Sequence, residues 1–364
     1  MTKQIKIGVI GCGNISGIYL NNFRKLFNFL DIIACADLDP AKSRARADEF
    51  NIPRACTVKK LLSDPDIDIV VNLTIPTAHA KVNLAAITAG KHVYCEKPLA
   101  INRKDGLEVL RAADKKKLLV GCAPDTFLGA GFQTCRKLID DGAIGEPLAA
   151  TAFMVCRGHE SWHPNPGFYY QPGGGPMFDM GPYYLTALIS LMGPVRRVTG
   201  STKITFPKRI ITSQPNYGKT IKVNTPTHIA GIMDFTNGAI GTITTSFDIW
   251  DAQLPKIEIY GSEGTLNAPD PNTFGGPIRL LRAREKKWID VPLIDRYAEN
   301  SRGVGVADMA QAILSGNTHR ANGKMAYHVL DIMQSFHDAS ALGKHIKITS
   351  SCAQPKSLPV NLFS

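Results

Sequence analysis

The chain has 364 residues, 44% of them hydrophobic and 20% charged, and a formal net charge of +11 at pH 7. This length exceeds what one hydrophobic core usually holds, so two domains are expected, and the composition excludes a disordered or fibrous protein. The lysines and arginines are dispersed, without aromatic interleaving or a recognised binding motif, so we expect no nucleic-acid partner. Attraction for an anionic cofactor or substrate explains the surplus charge more simply.

Neither a targeting segment nor a membrane span is expected from the sequence. Residues 1–4 lead directly into an apolar strand without the features of a signal peptide, and no apolar run is long enough to cross a bilayer. The eight cysteines are scattered and form neither a CxxC pair nor a Cys/His cluster. A reduced, cytoplasmic protein without a disulfide framework or zinc site is therefore predicted.

Short apolar runs alternate with amphipathic segments from residue 5 to about 122, which is typical of βαβ units and a parallel sheet. Gly90 is expected to end the helix at 78–89, and Asn102 to cap the next helix. The predicted strands are Ile5–Ile10, Ile32–Asp37, Ile69–Leu73, His92–Cys95 and Leu118–Cys122. An α/β domain is therefore predicted over residues 1–124.

The pattern changes near residues 142–147, where a strand over Leu148–Val155 is followed by a loop rich in His, Pro, Tyr and Gly. A helix is then predicted to about Met192. Asn237-Gly238, between two alternating segments, is a strong signal for a two-residue hairpin turn. The further predicted strands and helices are Thr227–Thr236, Ala239–Phe247, Ile257–Tyr260, Arg279–Ala283, Trp288–Val291, 303–314 and 323–342. Residues 125–364 are therefore expected to form an α+β domain with a largely antiparallel sheet.

A glycine-rich loop separates the first predicted strand from the first helix. Gly11 permits a tight turn, and Gly13 lets the backbone approach a pyrophosphate at the helix N-terminus. Ser16 replaces the third glycine of the usual pattern, but the strand before and the helix after give the loop its required context. The residues assigned to a dinucleotide here are Gly11, Gly13, Asn14 and Ile15.

Asp37 ends the second predicted strand, where a carboxylate can accept hydrogen bonds from the adenosine ribose hydroxyls. It would repel a 2′-phosphate, so NAD is favoured, whereas Arg44 would attract that phosphate and keeps NADP open as the less favoured cofactor. Residues after the third strand are assigned to the same cofactor: Thr74, Ile75, Pro76 and His79. A histidine there is more often a structural hydrogen-bond partner than a catalyst.

Two further motifs indicate chemistry. Glu96-Lys97-Pro98 follows the fourth strand and puts an ammonium group where a nicotinamide should lie. Asp179 and Tyr183 are four residues apart, and so share one face if the segment is helical, although Pro182 fits only a first helical turn. In the alternative interpretation Asp179 caps the helix and Tyr183 only packs.

These motifs occur together in the order of a known family. The chain resembles the glucose–fructose oxidoreductase/inositol dehydrogenase (Gfo/Idh/MocA) family through Gly11-x-Gly13, Asp37, Thr74-x-Pro76-x-x-His79, Ala89-Gly90-Lys91-His92-Val93, Glu96-Lys97-Pro98, Asp179-x-Gly181 and Arg320-Ala321-Asn322-Gly323. The resemblance implies a Rossmann domain followed by an α+β domain with a largely antiparallel open sheet. In relatives that sheet commonly mediates dimers or tetramers, so a homodimer or homotetramer is expected. Oxidation or reduction of a sugar or polyol hydroxyl through a nicotinamide is also implied.

Residue roles follow from the same resemblance. Glu96 and Lys97 would contact the nicotinamide ribose and the substrate, and Asp179 would orient the substrate or the acid/base group. Many relatives carry the proton-accepting histidine at position 183, but this chain has tyrosine, as does a subclass that includes glucose–fructose oxidoreductase. Because a free phenol has a pKa of about 10, Tyr183 needs a cation such as Lys97 to act near neutral pH. Lys97, Asp179 and Tyr183 are therefore the predicted catalytic residues.

The loop before the Gly173–Gly175 run is expected to cover the substrate. Trp162 would offer an apolar platform to a sugar face, and Arg157, His159 or His163 would bind hydroxyls or an acidic group. Asp125, just after the fifth strand, is a further substrate-binding candidate. The clustered His and Glu side chains could also suggest a metal, but nothing else in the sequence supports one, and none is expected.

Two other functions stay open at this point. Some relatives retain NAD and cleave glycosides by transient oxidation, which composition cannot separate from net dehydrogenation. A non-catalytic cofactor-binding regulator is the third possibility, and the intact set of Lys97, Asp179 and Tyr183 argues against it.

Overall fold

The structure, a computed structural model, describes residues 4–294, 296–359 and 362. Its strands are β1 (Ile5–Ile10), β2 (Leu30–Ala36), β3 (Ala55–Cys56), β4 (Ile69–Asn72), β5 (His92–Cys95), β6 (Val120–Cys122), β7 (Pro147–Val155), β8 (Val195–Lys203), β9 (Lys208–Ile210), β10 (Thr220–Lys222), β11 (His228–Phe235), β12 (Ile240–Ser246), β13 (Ile257–Gly261), β14 (Gly264–Ala268), β15 (Arg279–Arg282), β16 (Ile289–Asp290) and β17 (Ile346–Lys347). Its α-helices are α1 (Ser16–Lys25), α2 (Pro40–Glu49), α3 (Val58–Ser63), α4 (His79–Thr88), α5 (Arg103–Lys116), α6 (Ala130–Asp140), α7 (Gly175–Asp179), α8 (Gly181–Met192), α9 (Val304–Ser315) and α10 (Gly323–Leu342). Short 3-10 turns lie at Pro76–Ala78, Thr126–Leu128 and Pro166–Tyr170.

The chain divides into two compact units. The first contains the described residues within Met1–Leu128, Glu299–Tyr327 and Leu358–Ser364, and the second contains Gly129–Ala298 and His328–Ser357. The units are thus discontinuous in sequence, whereas the predicted division is a single boundary between residues 124 and 125. That boundary stays a prediction.

The sheet of the first unit has the predicted Rossmann topology. Over the described residues six parallel strands lie in the order β3-β2-β1-β4-β5-β6. The order reverses between β1 and β4, at the edge where dinucleotides bind in such sheets. Val70, Val93 and Val109 belong to a fully buried cluster on this sheet, as expected for parallel strands that run as continuous apolar segments.

Local chemistry sets the ends of these elements. Asn102 caps α5 as predicted, because its side-chain oxygen accepts the backbone N–H of Asp105 at 2.9 Å. The last strand begins at Val120 rather than at the predicted Leu118, since Lys117 is left-handed (φ 56°) and Leu118 still bonds to the helix through the Ala113 carbonyl. Propensity alone does not reveal such a helix cap.

The second unit is built on a mixed, mostly antiparallel open sheet, as predicted. Among the described residues its nine strands follow the order β16-β15-β14-β13-β7-β12-β11-β8-β17, with β7 and β12 the parallel neighbours. The predicted hairpin joins β11 to β12, and Gly238 takes the positive φ of 94° that such a turn requires. In the described part of the chain, helices are too short or too polar to traverse a membrane.

Helix α10 packs closely against part of this sheet. The Phe336 ring lies against Gly200 of β8 and Gly231 of β11, and a Cβ added to Gly231 would come within 2.3 Å of that ring. Two cross-strand glycines therefore form the recess that receives the fully buried Phe336.

Candidate active site

The predicted site residues lie in both units, and those of each unit are described in turn. In the first unit, Gly11 makes the turn out of β1 with φ 101°, and an added Cβ would lie 2.6 Å from the Leu73 carbonyl. Gly13 is exposed, and nothing lies within 4 Å of the place where its Cβ would be. The buried Ser16 hydroxyl closes the loop by donating to the Gly13 carbonyl at 2.7 Å. This loop has the open approach that a pyrophosphate needs.

Asp37 fixes the glycine-rich loop. One carboxylate oxygen accepts the Cys12 N–H at 2.7 Å, and the other accepts the Asp39 N–H at 2.9 Å. The strand therefore ends at Ala36 rather than at Asp37, since the side chain forms a turn with its own backbone. A cavity of about 540 Å³ adjoins Asp37 and is also lined by Arg44 and Lys60, which fits an adenosine ribose beside the carboxylate.

His79 joins the loops that follow β4 and β5. It is fully buried, and its Nδ1 and Nε2 lie 2.7 Å from the Pro98 carbonyl and 2.9 Å from the Thr74 carbonyl. Burial, the largest influence, lowers the pKa of His79, but Cys95 and the two carbonyls outweigh it and raise the pKa to about 9. An imidazolium that donates both N–H groups satisfies this geometry. The contacts are those of a structural link, so its assignment to the cofactor stays a prediction.

Thr74 and its neighbours form the edge of the sheet after β4. The Thr74 hydroxyl donates to the Asn72 side chain at 2.7 Å, which holds the loop at the strand end. Ile75 is 68% exposed and Pro76 is half-buried. An exposed apolar side chain at this edge is suited to contact a bound cofactor.

The Glu96-Lys97-Pro98 segment is anchored through its glutamate. Glu96 accepts the Tyr19 hydroxyl at 2.7 Å and the Lys97 N–H at 3.0 Å. Lys97 is half-buried and precedes a cis peptide bond to Pro98. The lysine therefore projects from a backbone held by both a buried tyrosine and His79.

Asp125 has a structural environment that argues against its predicted contact with substrate. It is 1% exposed, and one carboxylate oxygen accepts the N–H groups of Gly303 and Gly305 at the start of α9, at 2.8 and 3.0 Å. Burial raises its pKa to about 6, although the two N–H groups oppose that rise. Asp125 thus acts as a cap for a helix whose N-cap residue, Gly303, lies 178 residues later in the chain.

In the second unit, Asp179 and Tyr183 lie on two helices rather than one. Asp179 ends α7, Met180 breaks the helix, and Pro182 falls in the first turn of α8, where a proline is tolerated. The Tyr183 N–H bonds to the Met180 carbonyl at 3.0 Å, and the side chain is 7% exposed. The two residues therefore lie on separate helices that meet at Met180, not on one continuous helix.

His159 is brought to Asp179 from the loop after β7. Its Nε2 lies 3.2 Å from an Asp179 carboxylate oxygen, and the residue is 8% exposed. The ring packs against Tyr169 and Phe247, with centroids 4.0 and 4.6 Å away. A pairing between these two predicted substrate-binding residues was not part of the sequence prediction.

The other predicted loop residues differ in exposure. Trp162 is 61% exposed and lies edge-on to His159, with ring centroids 5.1 Å apart. His163 accepts the Asn165 N–H at 3.0 Å. Arg157 is stacked between Phe206 and Trp250, its guanidinium carbon 4.8 and 4.6 Å from their ring centroids. Exposed Trp162 suits the role of a sugar platform that the sequence predicts.

Arg209 is a buried residue that no sequence motif indicates as functional. It is 5% exposed and forms ion pairs with Glu160 and Asp248, and it donates to the Arg157 carbonyl at 3.0 Å. These partners are 39 to 52 residues away in sequence, and Arg209 itself lies in a short polar strand. Only the fold brings them together. Within the residues that the structure describes, no three His, Cys, Asp or Glu side chains group as metal ligands would.

Two family models match the chain. The model of an oxidoreductase family with an NAD-binding Rossmann fold matches residues 5–123, and the model of the GFO/IDH/MocA C-terminal domain matches residues 132–267. Together they cover well over half of the chain. The protein belongs to the Gfo/Idh/MocA oxidoreductase family.

Individual members of the family are distant in sequence and close in fold. The myo-inositol 2-dehydrogenase of Thermotoga maritima is 25% identical over 268 residues, which cover 72% of this chain and 75% of that protein. An NAD binding oxidoreductase from Klebsiella pneumoniae superposes with a TM-score of 0.84 at 22% identity, over 96% of this chain and 100% of that one. Levoglucosan dehydrogenase in complex with NADH and levoglucosan gives a TM-score of 0.83 at 18% identity, over 95% and 100% of the two chains. At these identities the two solved structures show the shared fold.

Membership in the Gfo/Idh/MocA family confirms the predicted resemblance. It also identifies the first unit as the cofactor-binding domain. Gly11, Gly13 and Asp37 belong to an NAD-binding Rossmann domain, and NAD is the cofactor. The open space at Gly13 and the cavity beside Asp37 fit that cofactor.

Proposed function

We propose that this protein is an NAD-dependent dehydrogenase that transfers hydride between the nicotinamide and a hydroxyl or carbonyl of a sugar, glycoside or polyol. The observation that carries this proposal is Lys97, which follows β5 of an NAD-binding domain on a backbone anchored by Glu96 and His79. The printed names of relatives, a myo-inositol 2-dehydrogenase and a levoglucosan dehydrogenase, support the substrate class. A small carbohydrate is therefore the proposed substrate.

The proposed role of the side chains is the transfer of a proton to and from the substrate. Bound NAD supplies the hydride acceptor. As the alcohol is oxidised, the hydroxyl proton passes to the Tyr183 oxygen, and in the reverse direction Tyr183 returns it to the carbonyl oxygen. Lys97 supplies the positive charge that a phenolate needs. Asp179 orients the substrate hydroxyl.

NAD rather than NADP is the proposed working cofactor, because the Asp37 carboxylate would repel a 2′-phosphate. Location in the cytoplasm and assembly into a homodimer or homotetramer are also proposed. Assembly is supported by Ile232 and Ile240, two exposed apolar side chains on the same face of the paired strands β11 and β12.

The first test is a screen of sugars, glycosides and inositols by NADH absorbance, with NAD and NADP run in parallel. Once a substrate is found, Lys97→Ala and Tyr183→Phe are each expected to lower kcat by about 100-fold or more, since each removes a group of the proton transfer. NAD binding by Tyr183→Phe, measured by fluorescence titration, should be retained.

Two outcomes would contradict this proposal. An unchanged kcat in both variants would remove the catalytic assignment. Cleavage of a glycoside without net NADH formation would identify the glycoside hydrolase or lyase reaction instead, while NAD binding without turnover of any sugar would indicate a regulator.

A further inference from the structure

The contact between His159 and Asp179 indicates which ring nitrogen of the histidine carries the proton. The carboxylate oxygen lies 3.2 Å from Nε2, while Nδ1 on the other side of the ring is buried and has no hydrogen-bond partner among the described residues. An ionised carboxylate can only accept hydrogen bonds, so the proton of His159 must be on Nε2. A second proton on Nδ1 would leave a buried charged donor without an acceptor in the part of the chain that the structure describes, which is unfavourable. The pair is therefore a neutral imidazole that donates to Asp179.

The backbone around His159 is rigidly held. Gly158 has φ 99°, and an added Cβ would come within 2.3 Å of Glu160 and 2.4 Å of the Tyr170 hydroxyl. The His159 N–H donates to that hydroxyl at 3.3 Å. Arg209 bonds to Glu160 on one side of the loop at 2.7 Å and is itself buried. A loop fixed in this way can hold an imidazole in one orientation.

Asp179 is a carboxylate that benefits from such a donor. It is the last residue of α7, a helix of five residues, and Met180 separates it from the start of α8. An N–H from the loop after β7 holds one of its carboxylate oxygens at 3.2 Å.

We infer that His159 is a positioning residue, which donates its Nε2 proton to Asp179 and so fixes the carboxylate that orients the substrate. This role rests on the proposed function, because Asp179 has a substrate to orient only in that reaction. It differs from the predicted role of His159, which was direct hydrogen bonding to the substrate. Residue 183 is a tyrosine, and the histidine beside the aspartate comes from the loop after β7.

A matched pair of variants tests this role in the full-length protein. His159→Phe keeps a ring among Tyr169 and Phe247 but removes the donor, and His159→Gln keeps an N–H donor near the Nε2 position. His159→Phe is expected to lower kcat by about 10- to 100-fold, by analogy with the loss of hydrogen-bond partners that orient metal ligands, with a much smaller change in KM. His159→Gln should recover most of this loss, and both should melt within a few degrees of the wild type.

The pair should also behave as one unit in a double-mutant cycle. Combining His159→Phe with Asp179→Asn is expected to lower kcat no further than Asp179→Asn alone, because the histidine acts only through the aspartate. A purely structural histidine would give multiplying losses and a fall in melting temperature that His159→Gln does not reverse, which would overturn the inference.

A measurement that does not depend on turnover distinguishes the positioning role of His159 from the proposed dehydrogenase function. With ¹⁵N-labelled histidine, NMR of the wild type should show His159 as the neutral Nε2–H tautomer, and Asp179→Asn should alter that signal. A Nδ1–H tautomer would overturn the inference whatever the activity. An active wild type with a normal His159→Phe variant would overturn the positioning role alone, whereas a wild type that turns over no sugar or polyol would overturn the proposed function and this role together.

Discussion

At the scale of single residues, Asp37 combines two tasks that the sequence motif does not separate. Its carboxylate oxygens each accept a backbone N–H, from Cys12 and Asp39, and so hold the glycine-rich loop against the end of β2. The same carboxylate faces the cavity that Arg44 and Lys60 line. The proposed selectivity against NADP therefore depends on one negative charge opposed by nearby cations.

Replacement of Asp37 by serine is expected to raise the KM for NAD at least about tenfold and to lower the ratio of kcat/KM for NAD over NADP. The carboxylate supplies the ribose contact and the repulsion of a 2′-phosphate, and both are lost together. Steady-state rates with the two cofactors measure this ratio. Arg44→Ala is the matched control and should reduce NADP use only. An unchanged ratio in Asp37→Ser would show that another group selects the cofactor.

The raised pKa of His79 predicts how the first unit responds to pH. Because the folded pKa of about 9 exceeds the ordinary value of 6.5, the contribution of His79 to stability is complete below about pH 6.5. It is lost as the pH rises through about 9. The difference in melting temperature between wild type and His79→Gln should therefore shrink over this interval.

Cys95 provides the control for that measurement. Burial raises the pKa of Cys95, but Cys122 and His79 outweigh burial and lower it to about 6, so its thiolate supports the His79 charge. Cys95→Ser should move the loss of His79 stabilisation to lower pH. If the difference in melting temperature between wild type and His79→Gln is constant from pH 6 to pH 9, His79 is not an imidazolium in the folded protein.

At the scale of elements, the turn after β1 depends on two glycines for different reasons. Gly11 has φ 101° and no space beside the Leu73 carbonyl, whereas Gly13 has open space where a Cβ would lie. Gly11→Ala is expected to destabilise the fold by roughly 1–3 kcal/mol through backbone strain, seen as a lower melting temperature. Gly13→Ala should leave that temperature unchanged and weaken NAD binding, since the added methyl meets the pyrophosphate.

Calorimetric titration with NAD gives the second half of this comparison. If Gly13→Ala binds NAD as tightly as the wild type, then the pyrophosphate does not approach this loop. A normal melting temperature for Gly11→Ala would mean that the loop tolerates a shifted Leu73 carbonyl.

The sequence predicted elements well where periodicity and turn chemistry are local. Asn237-Gly238 fixed the β11–β12 hairpin, and Asn102 marked the start of α5. Contacts between residues far apart in sequence could not be predicted in this way. Asp125 follows the end of a strand, where site residues are expected, yet its carboxylate accepts hydrogen bonds from the N–H groups of Gly303 and Gly305.

The candidate site was likewise predictable only where its residues depend on the local sequence. Gly11, Gly13 and Asp37 follow from their spacing to a strand and a helix, which is local information. The break at Met180 and the return of His159 to Asp179 do not, because they depend on a loop held by Arg209 and its remote partners. Lys97, Asp179 and Tyr183 stay a predicted catalytic set.

At the scale of the whole molecule, the open sheet leaves apolar side chains on the surface. Ile232 and Ile240, on the paired strands β11 and β12, are 43% and 54% exposed. Neighbouring exposed isoleucines on one face of an open sheet are suited to a contact with another protein. Joint replacement of Ile232 and Ile240 by lysine is expected to convert the proposed dimer or tetramer to a monomer in light scattering.

Ile210 offers a control on a different strand pair. It is 61% exposed on the two-stranded β9–β10 ribbon, and Ile210→Lys should leave the molar mass unchanged. A wild type that is already monomeric, or a double variant with unaltered mass, would contradict assembly through the sheet.

The discontinuity of the first unit has a consequence for how the protein is made. Its last strand is completed by residues from much later in the chain, since the Cys122 N–H bonds to the Ala321 carbonyl and His319 bonds to the Val120 carbonyl. Asp125 likewise remains uncapped until Gly303 exists. The nucleotide-binding unit therefore cannot finish folding on the ribosome before nearly nine-tenths of the chain has been translated, and a gene fragment cut after residue 128 should yield an incomplete, protease-sensitive product.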